Sequence, residues 1–192
     1  MNKEKIGLWG GCFNPISNTH ISLAINVLED LKLDKIYFVP VGDYYEKSNL
    51  EKAEHRYNMI KLAINGIKKL NVDDIELKSK TKLYAKDAFS ILERKYINKD
   101  IYFIMGSDNF IKMPNWKDYD EIIKKYKYIV INRKKYEINK NLKENIIYYN
   151  PKQLDLVNST EIRKSIKNKE KIEEYINKEV YNYIMKNELY KI

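Results

Sequence analysis

Two histidines, one cysteine and a few loop residues carry most of the chemistry this sequence could perform. The densest stretch reads Gly10-Gly11-Cys12-Phe13-Asn14-Pro15-Ile16-Ser17-Asn18-Thr19-His20. Paired glycines allow close approach to the backbone. A helix beginning just after them offers unbonded N–H groups and the positive end of its dipole. That combination cradles phosphate, and His20 would face the same phosphates from the first helical turn. The stretch lacks the Gly-x-Gly-x-x-Gly of dinucleotide binders and the Gly-Lys-Ser/Thr of a P-loop. A tight turn with a capping Asn or Ser and an incidental histidine is the plainer alternative.

A second anion site is readable in Val157-Asn158-Ser159-Thr160-Glu161-Ile162-Arg163. Hydroxyls in a first helical turn, free N–H groups and the fork of Arg163 would share one face. Ser159 and Glu161 stand two residues apart and a capping box needs three, so capping alone does not account for this pattern. Between the two sites lie Val39-Pro40-Val41-Gly42-Asp43 with Lys47 a few residues on, then His55-Arg56. A lone lysine on a loop is usually just solvated, and His55 and Arg56 read as loop anchors. Gly106-Ser107-Asp108 follows a strongly apolar run and suits a ribose or adenine contact. Trp116 could stack on an electron-poor ring, worth about 0.5–1.5 kcal/mol beyond area burial, or simply fill the core. Asp87 could be a helix N-terminal charge.

These motifs need a scaffold, and the hydrophobic period supplies one. Short apolar runs at Ile6–Trp9, Ile36–Val39, Ile75–Leu77, Ile101–Met105, Tyr128–Ile131 and Ile146–Tyr149 read as strands. Helical spacing appears at Ile21/Ala24/Ile25/Leu28, Met59/Ile60/Ala63/Ile64/Ile67 and Ala88/Phe89/Ile91/Leu92/Tyr96. A short helix carries Ile122 and Ile123, and two more run near Thr160–Lys167 and Glu173–Lys186. Alternating strands and helices imply an α/β fold, a Rossmann-like doubly wound parallel sheet with helices on both faces. Ligands then bind beyond the carboxyl ends of the strands. No linker or repeat divides residues 1–192, which read as one domain.

The motifs together resemble a known family. The first loop is similar to the nucleotidyltransferase signature Gly-Gly-Thr/Ser-Phe-Asp/Asn-Pro-Ile-His-x-Gly-His. Cys12 stands at the hydroxyl place, Ser17 at the first histidine, Thr19 at the glycine and His20 at the second histidine. The Asn-Pro-Ile form followed by a hydroxyl residue resembles the eukaryotic-type branch of nicotinamide mononucleotide adenylyltransferases. Pro40 to Asp43, Lys47 and Ala53-x-His55-Arg56-x-x-Met59 continue the likeness. So does Tyr84-Ala85-Lys86-Asp87-Ala88, where the bacterial-type members have Ser-Tyr-Thr-x-Asp-Thr; Ala85 and Ala88 lack the hydroxyls. Gly106-x-Asp108, Trp116 and Ser159-Thr160-x-Ile162-Arg163 complete it.

The resemblance implies transfer of AMP from ATP to nicotinate or nicotinamide mononucleotide, with His20, Lys47 and Arg163 catalytic. It implies ATP contacts at Gly11, Cys12, Phe13, Asn14 and His20, and at Gly106, Asp108, Ser159, Thr160 and Arg163. Lys47, Tyr84, Trp116 and Arg133 would take the mononucleotide. No protein metal cage is expected; Mg²⁺ would ride on the ATP phosphates. The acceptor's 5′-phosphate has a second pKa near ~6 and is already mostly dianionic at neutral pH, so no general base is required. A sister transferase with another phosphorylated acceptor, or a weakly catalytic nucleotide sensor, fits the same residues less fully.

Composition narrows the setting. With 36 Lys+Arg against 27 Asp+Glu the formal charge is +9, but the lysines are scattered and form no basic block, which disfavours nucleic acid. A positive field would still speed encounter with phosphorylated substrates. One cysteine excludes an intramolecular disulfide. The first residues lack an apolar signal core and no run suits a bilayer span, so a soluble cytoplasmic protein is expected, with self-association open.

Overall fold

β-Branched and aromatic residues crowd the short apolar runs, and a strand buried on both faces needs that composition. The structure, a computed structural model, describes residues 3–133, 136, 143–151 and 158–191; Val157 lies outside them. Its strands are β1 (Lys5–Gly11), β2 (Lys35–Pro40), β3 (Leu70–Val72), β4 (Asp100–Gly106), β5 (Lys127–Ile131) and β6 (Ile146–Tyr149). They form one sheet in the order β3-β2-β1-β4-β5-β6 with every pairing parallel. The helices are α1 (Asn18–Asp30), α2 (Ala53–Ala63), α3 (Ala85–Lys95), α4 (Ser107–Lys112), α5 (Tyr119–Lys125), α6 (Ser159–Lys167) and α7 (Lys178–Lys186).

The pleat sends alternate residues to opposite cores. Trp9, Ile36, Phe38, Ile104 and Ile129 pack with residues of α1, α2, α6 and α7. Ile6, Leu8, Phe103, Met105, Tyr128 and Val130 pack on the other face with Leu92 of α3 and Ile122 and Ile123 of α5. Each such side chain, fully buried, contributes about 1.5–3 kcal/mol. On α1 the buried positions are Leu23, Ala24, Val27 and Leu28, while Ile21 and Ile25 lie at the stripe's edge.

Three expectations are corrected. The strand placed at Ile75–Leu77 is a turn, and the strand lies earlier, with Leu70, Asn71 and Val72 paired to Ile36, Tyr37 and Phe38. Asp73 forces the turn. Its Oδ1 accepts the Ile75 N–H at 3.0 Å, while Oδ2 is held by the Tyr96 hydroxyl at 2.6 Å and Lys95 Nζ at 2.7 Å. The final helix starts at Lys178 and not at Glu173, because the Asn177 side chain caps it by accepting the Glu179 N–H at 2.7 Å. The segment after β4, read as a loop, is α4 followed by a 3₁₀ turn at Met113–Asn115.

Among the described residues no helix is long and apolar enough to cross a membrane. The strand order reverses between β1 and β4, so their connections leave the sheet in opposite directions and open a crevice beyond Gly11 and Gly106.

Candidate active site

The β1–α1 loop is built inward from its aromatic residue. Phe13 takes φ +44° and turns its ring into the core, against Trp9 at 6.3 Å, Phe38 at 5.3 Å and the His20 ring at 5.4 Å. A Cβ on Gly11 would sit 3.0 Å from that ring, so glycine there lets Phe13 fold beneath the loop. Asn14 is buried as well. Its Oδ1 accepts the Glu51 N–H at 3.1 Å and the Tyr190 hydroxyl at 3.0 Å, and its Nδ2 donates to the Asn49 carbonyl at 2.7 Å. The resemblance implies ATP contacts at Phe13 and Asn14. Their side chains are committed to the interior, so only their main chain is offered to a ligand.

Ser17 caps α1, and the cap fixes the histidine. The Ser17 Oγ accepts the His20 N–H at 3.4 Å, while the Ser17 N–H donates to His20 Nδ1 at 3.2 Å. Ser17 Oγ also lies 2.7 Å from Nδ1. An acceptor Nδ1 places the ring proton on Nε2. The ring is half-buried, and desolvation, with a smaller push from the Arg133 guanidinium, lowers its pKa to about 4. His20 is therefore a neutral imidazole whose Nε2–H is a hydrogen-bond donor.

The start of α6 is pinned to this loop. Asn158, not Ser159, is the N-cap; its Oδ1 accepts the Thr160 and Glu161 N–H groups at 3.0 and 3.1 Å, and Glu161 returns the bond to the Asn158 N–H. The capping box is thus complete one residue earlier than the Ser159–Glu161 spacing suggested. The Ser159 hydroxyl donates to the Pro15 carbonyl at 2.9 Å, which makes it a tether between the loop and α6. Arg163 donates to the Asn14 carbonyl at 2.7 Å, the Ser159 carbonyl at 3.1 Å and the Thr160 Oγ1 at 3.3 Å. Three of its five N–H groups are so engaged. The other two have no partner among the described residues and could meet an anion. Two helix N-termini, of α1 and α6, converge on one short loop.

Lys47 reaches the same loop from the other side, its Nζ 3.6 Å from the Cys12 Sγ. Arg56 lies beneath, fully buried on α2, and donates to the Glu51, Cys12 and Val41 carbonyls at 2.7, 3.0 and 2.5 Å. It therefore ties the β1–α1 loop to the Lys47 loop, the anchoring role expected of it. His55 links α2 to α7 through a 2.9 Å contact with the Tyr183 hydroxyl. Gly42 donates to Glu76 Oε2 at 3.1 Å, and burial pushes that carboxyl's pKa up. Sequence reasoning missed Glu76, which stands near no motif in the chain, and saw in Tyr190 only the end of the family-like closing segment Asn187-Glu188-Leu189-Tyr190, not a partner of the β1–α1 loop.

Across the crevice, Gly106 caps α4, and a Cβ there would collide with the Asp108 carboxylate. Arg133 Nε lies 3.4 Å from Asp108 Oδ1, and its N–H donates to the Ser107 Oγ at 3.0 Å. Asp108 Oδ1 is buried and has no hydrogen-bond partner among the described residues, which suits a ligand hydroxyl.

Tyr84 and Trp116 form a separate group. Tyr84 precedes α3, its N–H held by Asp87 Oδ2 at 3.2 Å, and its ring is exposed. Asp87 thus caps the helix. The Lys117 and Lys82 ammonium groups lie over the Tyr84 ring at 4.9 and 5.7 Å from its centre. Trp116 packs one side against the core on the α3 and α5 face of the sheet, and lines a hollow of about 440 Å³ with Pro114, Tyr119, Asp118, Asp120 and Glu121. Contacts among the described residues join Tyr84 to the Trp116–Lys117 segment and join His20 to Arg163 and Lys47 through the loop, while Arg133 acts on His20 by its charge. Those contacts do not join the two groups directly.

Comparison with known proteins gives this geometry a family. Residues 8–165 match the cytidylyltransferase-like family. A "Probable nicotinate-nucleotide adenylyltransferase" of Clostridium tetani is 36% identical over 98% of this chain and 100% of its own length. One of the same description from Clostridium acetobutylicum is 34% identical over 97% of this chain and 99% of its own. A solved Plasmodium falciparum nicotinic acid mononucleotide adenylyltransferase complexed with NaAD superposes with a TM-score of 0.84, covering 97% of each chain at 23% identity. That last likeness shows the fold. The end-to-end match to the clostridial relatives shows more: the chain belongs to the cytidylyltransferase-like nucleotidyltransferases, in the nicotinate-nucleotide adenylyltransferase family.

Proposed function

We propose that this chain transfers the AMP moiety of ATP to nicotinate mononucleotide, releasing pyrophosphate and forming nicotinate adenine dinucleotide, a step of NAD biosynthesis. The reaction is carried by a single domain over residues 1–192, in the cytoplasm. The observation that carries the reading is the convergence of α1 and α6 on one loop, joined by Ser159–Pro15 and Arg163–Asn14. Two helix dipoles, an imidazole donor and two cations meet where a triphosphate needs them.

The chemistry needs placement and charge stabilisation more than proton transfer. An oxygen of the acceptor's 5′-phosphate attacks the α-phosphorus of ATP; the new P–O bond forms as the bond to the β-phosphate oxygen breaks. The acceptor dianion has no proton to lose, and pyrophosphate leaves as an anion. His20 Nε2–H stabilises charge growing on the phosphates, while Arg163 and Lys47 neutralise it. Asp108 accepts a hydroxyl hydrogen from the nucleoside, Arg133 sits beside it, and Trp116 with Tyr84 receives the pyridine. The donors gathered at the loop are N–H groups, an imidazole and ammonium or guanidinium groups. They match phosphate oxygens and not a metal, so Mg²⁺ enters as the MgATP substrate.

The test is direct. ATP with nicotinate mononucleotide should yield pyrophosphate and dinucleotide in equal amounts, scored against nicotinamide mononucleotide and other phosphorylated acceptors. ATP binding with no pyrophosphate released in the presence of any pyridine mononucleotide would refute the reading.

A further inference from the structure

Lys47 stands on an exposed loop, yet its ammonium has a definite place beside Cys12, 3.6 Å from the thiol sulfur. The loop is closed at its base, where Asp43 Oδ1 accepts the Ala53 N–H at 2.6 Å. Its far limb is held by the β1–α1 loop, because Asn14 bonds the Asn49 carbonyl and the Glu51 N–H. The near limb, Gly42 to Lys47, is held from another quarter, the turn that follows β3. There Glu76 Oε2 accepts the Gly42 N–H at 3.1 Å. The two backbones lie so close that a Cβ on Gly42 would meet the Glu76 carbonyl oxygen at 2.5 Å. A second tie between these segments is the Lys82–Glu46 ion pair at 3.4 Å, but its glutamate side chain is 85% exposed, and solvent leaves such a pair little strength. Glu76 is half-buried, and the Gly42 bond is its carboxylate's one hydrogen bond among the described residues. The cation whose charge reaches it, Arg56, gives its own N–H groups to the Glu51, Cys12 and Val41 carbonyls.

We propose that Glu76 is a positioning residue for the transfer: by holding the Gly42 N–H it sets the near limb of the loop, and with it the place of Lys47 beside the phosphate cradle. This rests on the proposed adenylyl transfer and extends it to a residue that acts through the loop. A lysine carries its charge on a flexible stem, so the ammonium serves a triphosphate only when the backbone beneath it is fixed. A carboxylate accepting a backbone N–H forms a charge-assisted bond, stronger than a neutral one. Burial keeps water from competing for that N–H, which the exposed Lys82–Glu46 pair cannot do. The turn itself stands without the Glu76 side chain. Asp73 Oδ1 accepts the Ile75 N–H, and the Lys78 N–H donates to the Asp74 carbonyl at 3.0 Å. The Glu76 carboxylate therefore serves the loop and not its own turn.

The experiment is a double-mutant cycle. With nicotinate mononucleotide saturating, kcat/KM for ATP is measured for the wild type, Glu76→Ala, Lys47→Met and the double variant. Glu76→Ala should lower it at least about tenfold, the scale of a displaced positioning group. In the Lys47→Met background the same change should lower it less than about twofold, because the group it places is gone. Equal losses in both backgrounds would mark a general structural role and overturn the assignment. Glu76→Gln keeps an oxygen for the Gly42 N–H and should retain most of the wild-type value; a loss as deep as that of Glu76→Ala overturns the assignment too. Should Glu76→Ala fail to fold, Glu76→Asp takes its place in the cycle, its carboxylate one methylene short of the N–H. Hydrogen exchange over Gly42 to Lys47, read by mass spectrometry without substrate, tests the same tie without turnover. There, faster exchange in Glu76→Ala with wild-type exchange in Glu76→Gln supports the assignment, and unchanged exchange in Glu76→Ala overturns it. A wild type that releases no pyrophosphate would count against the reaction, while the exchange measurement still decides the tie.

Discussion

Acidification should leave His20 uncharged long after an ordinary histidine has taken up a proton. Its pKa is lowered to about 4, first by burial and then by Arg133. At pH 5 an unperturbed imidazole is about 97% protonated, and one with the His20 value about 9%. The unfolded chain therefore binds a proton that the native state refuses. The associated stability is fully present above the unfolded value of 6.5 and is lost as the pH falls from there toward 4. The shift corresponds to about 2–3 kcal/mol once the solvent still reaching the ring is allowed for. The chain has two histidines, so two imidazole resonances suffice for a proton NMR titration, with His20→Gln identifying the relevant one. Urea unfolding at pH 7 and pH 5 measures the energetic part. A His20 midpoint between pH 6 and 7 would refute the argument, and with it the role of a neutral Nε2–H donor.

Other outcomes follow from single contacts. His20→Ala should lower kcat at least about 100-fold, the scale of a lost transition-state donor; turnover close to wild type would remove His20 from the mechanism. Arg56→Met leaves the Cys12, Val41 and Glu51 carbonyls without their donor and should cost at least about 3 kcal/mol in urea unfolding. An unchanged midpoint would contradict that. Gly42→Ala puts a Cβ 2.5 Å from the Glu76 carbonyl oxygen, so the backbone must move. The expected result is a loss of about 1–3 kcal/mol and a raised KM for ATP as the Lys47 loop shifts; steady-state kinetics with a melting curve checks both.

The sheet was legible because strands buried on two faces need near-continuous apolar runs, and five of six announced themselves that way. β3 did not. It has three residues, of which only Leu70 is buried, and its position is set by pairing with β2, which leaves no mark in its own composition. The decoy at Ile75–Leu77 is apolar at both ends but is turned by the buried Asp73. At the candidate site, residue types and spacing singled out the β1–α1 loop, Lys47 and Arg163, which the fold brings together as neighbours. They could not reveal which atoms were already spent. Ser159 looked like a phosphate donor and tethers α6; Phe13 looked like a ligand contact and is a wedge. Such facts depend on side-chain direction, and side-chain direction depends on partners far away in sequence.

The Tyr190–Asn14 bond illustrates that distance, since its partners are 176 positions apart. A ribosome adding about 5–20 residues per second needs roughly 10–35 s to travel from one to the other. Throughout that interval the nascent β1–α1 loop lacks the hydroxyl that fastens its asparagine, and for most of it the guanidinium of Arg163 as well. A growing chain therefore cannot fasten this loop early, and its last tether forms only when synthesis has passed residue 190.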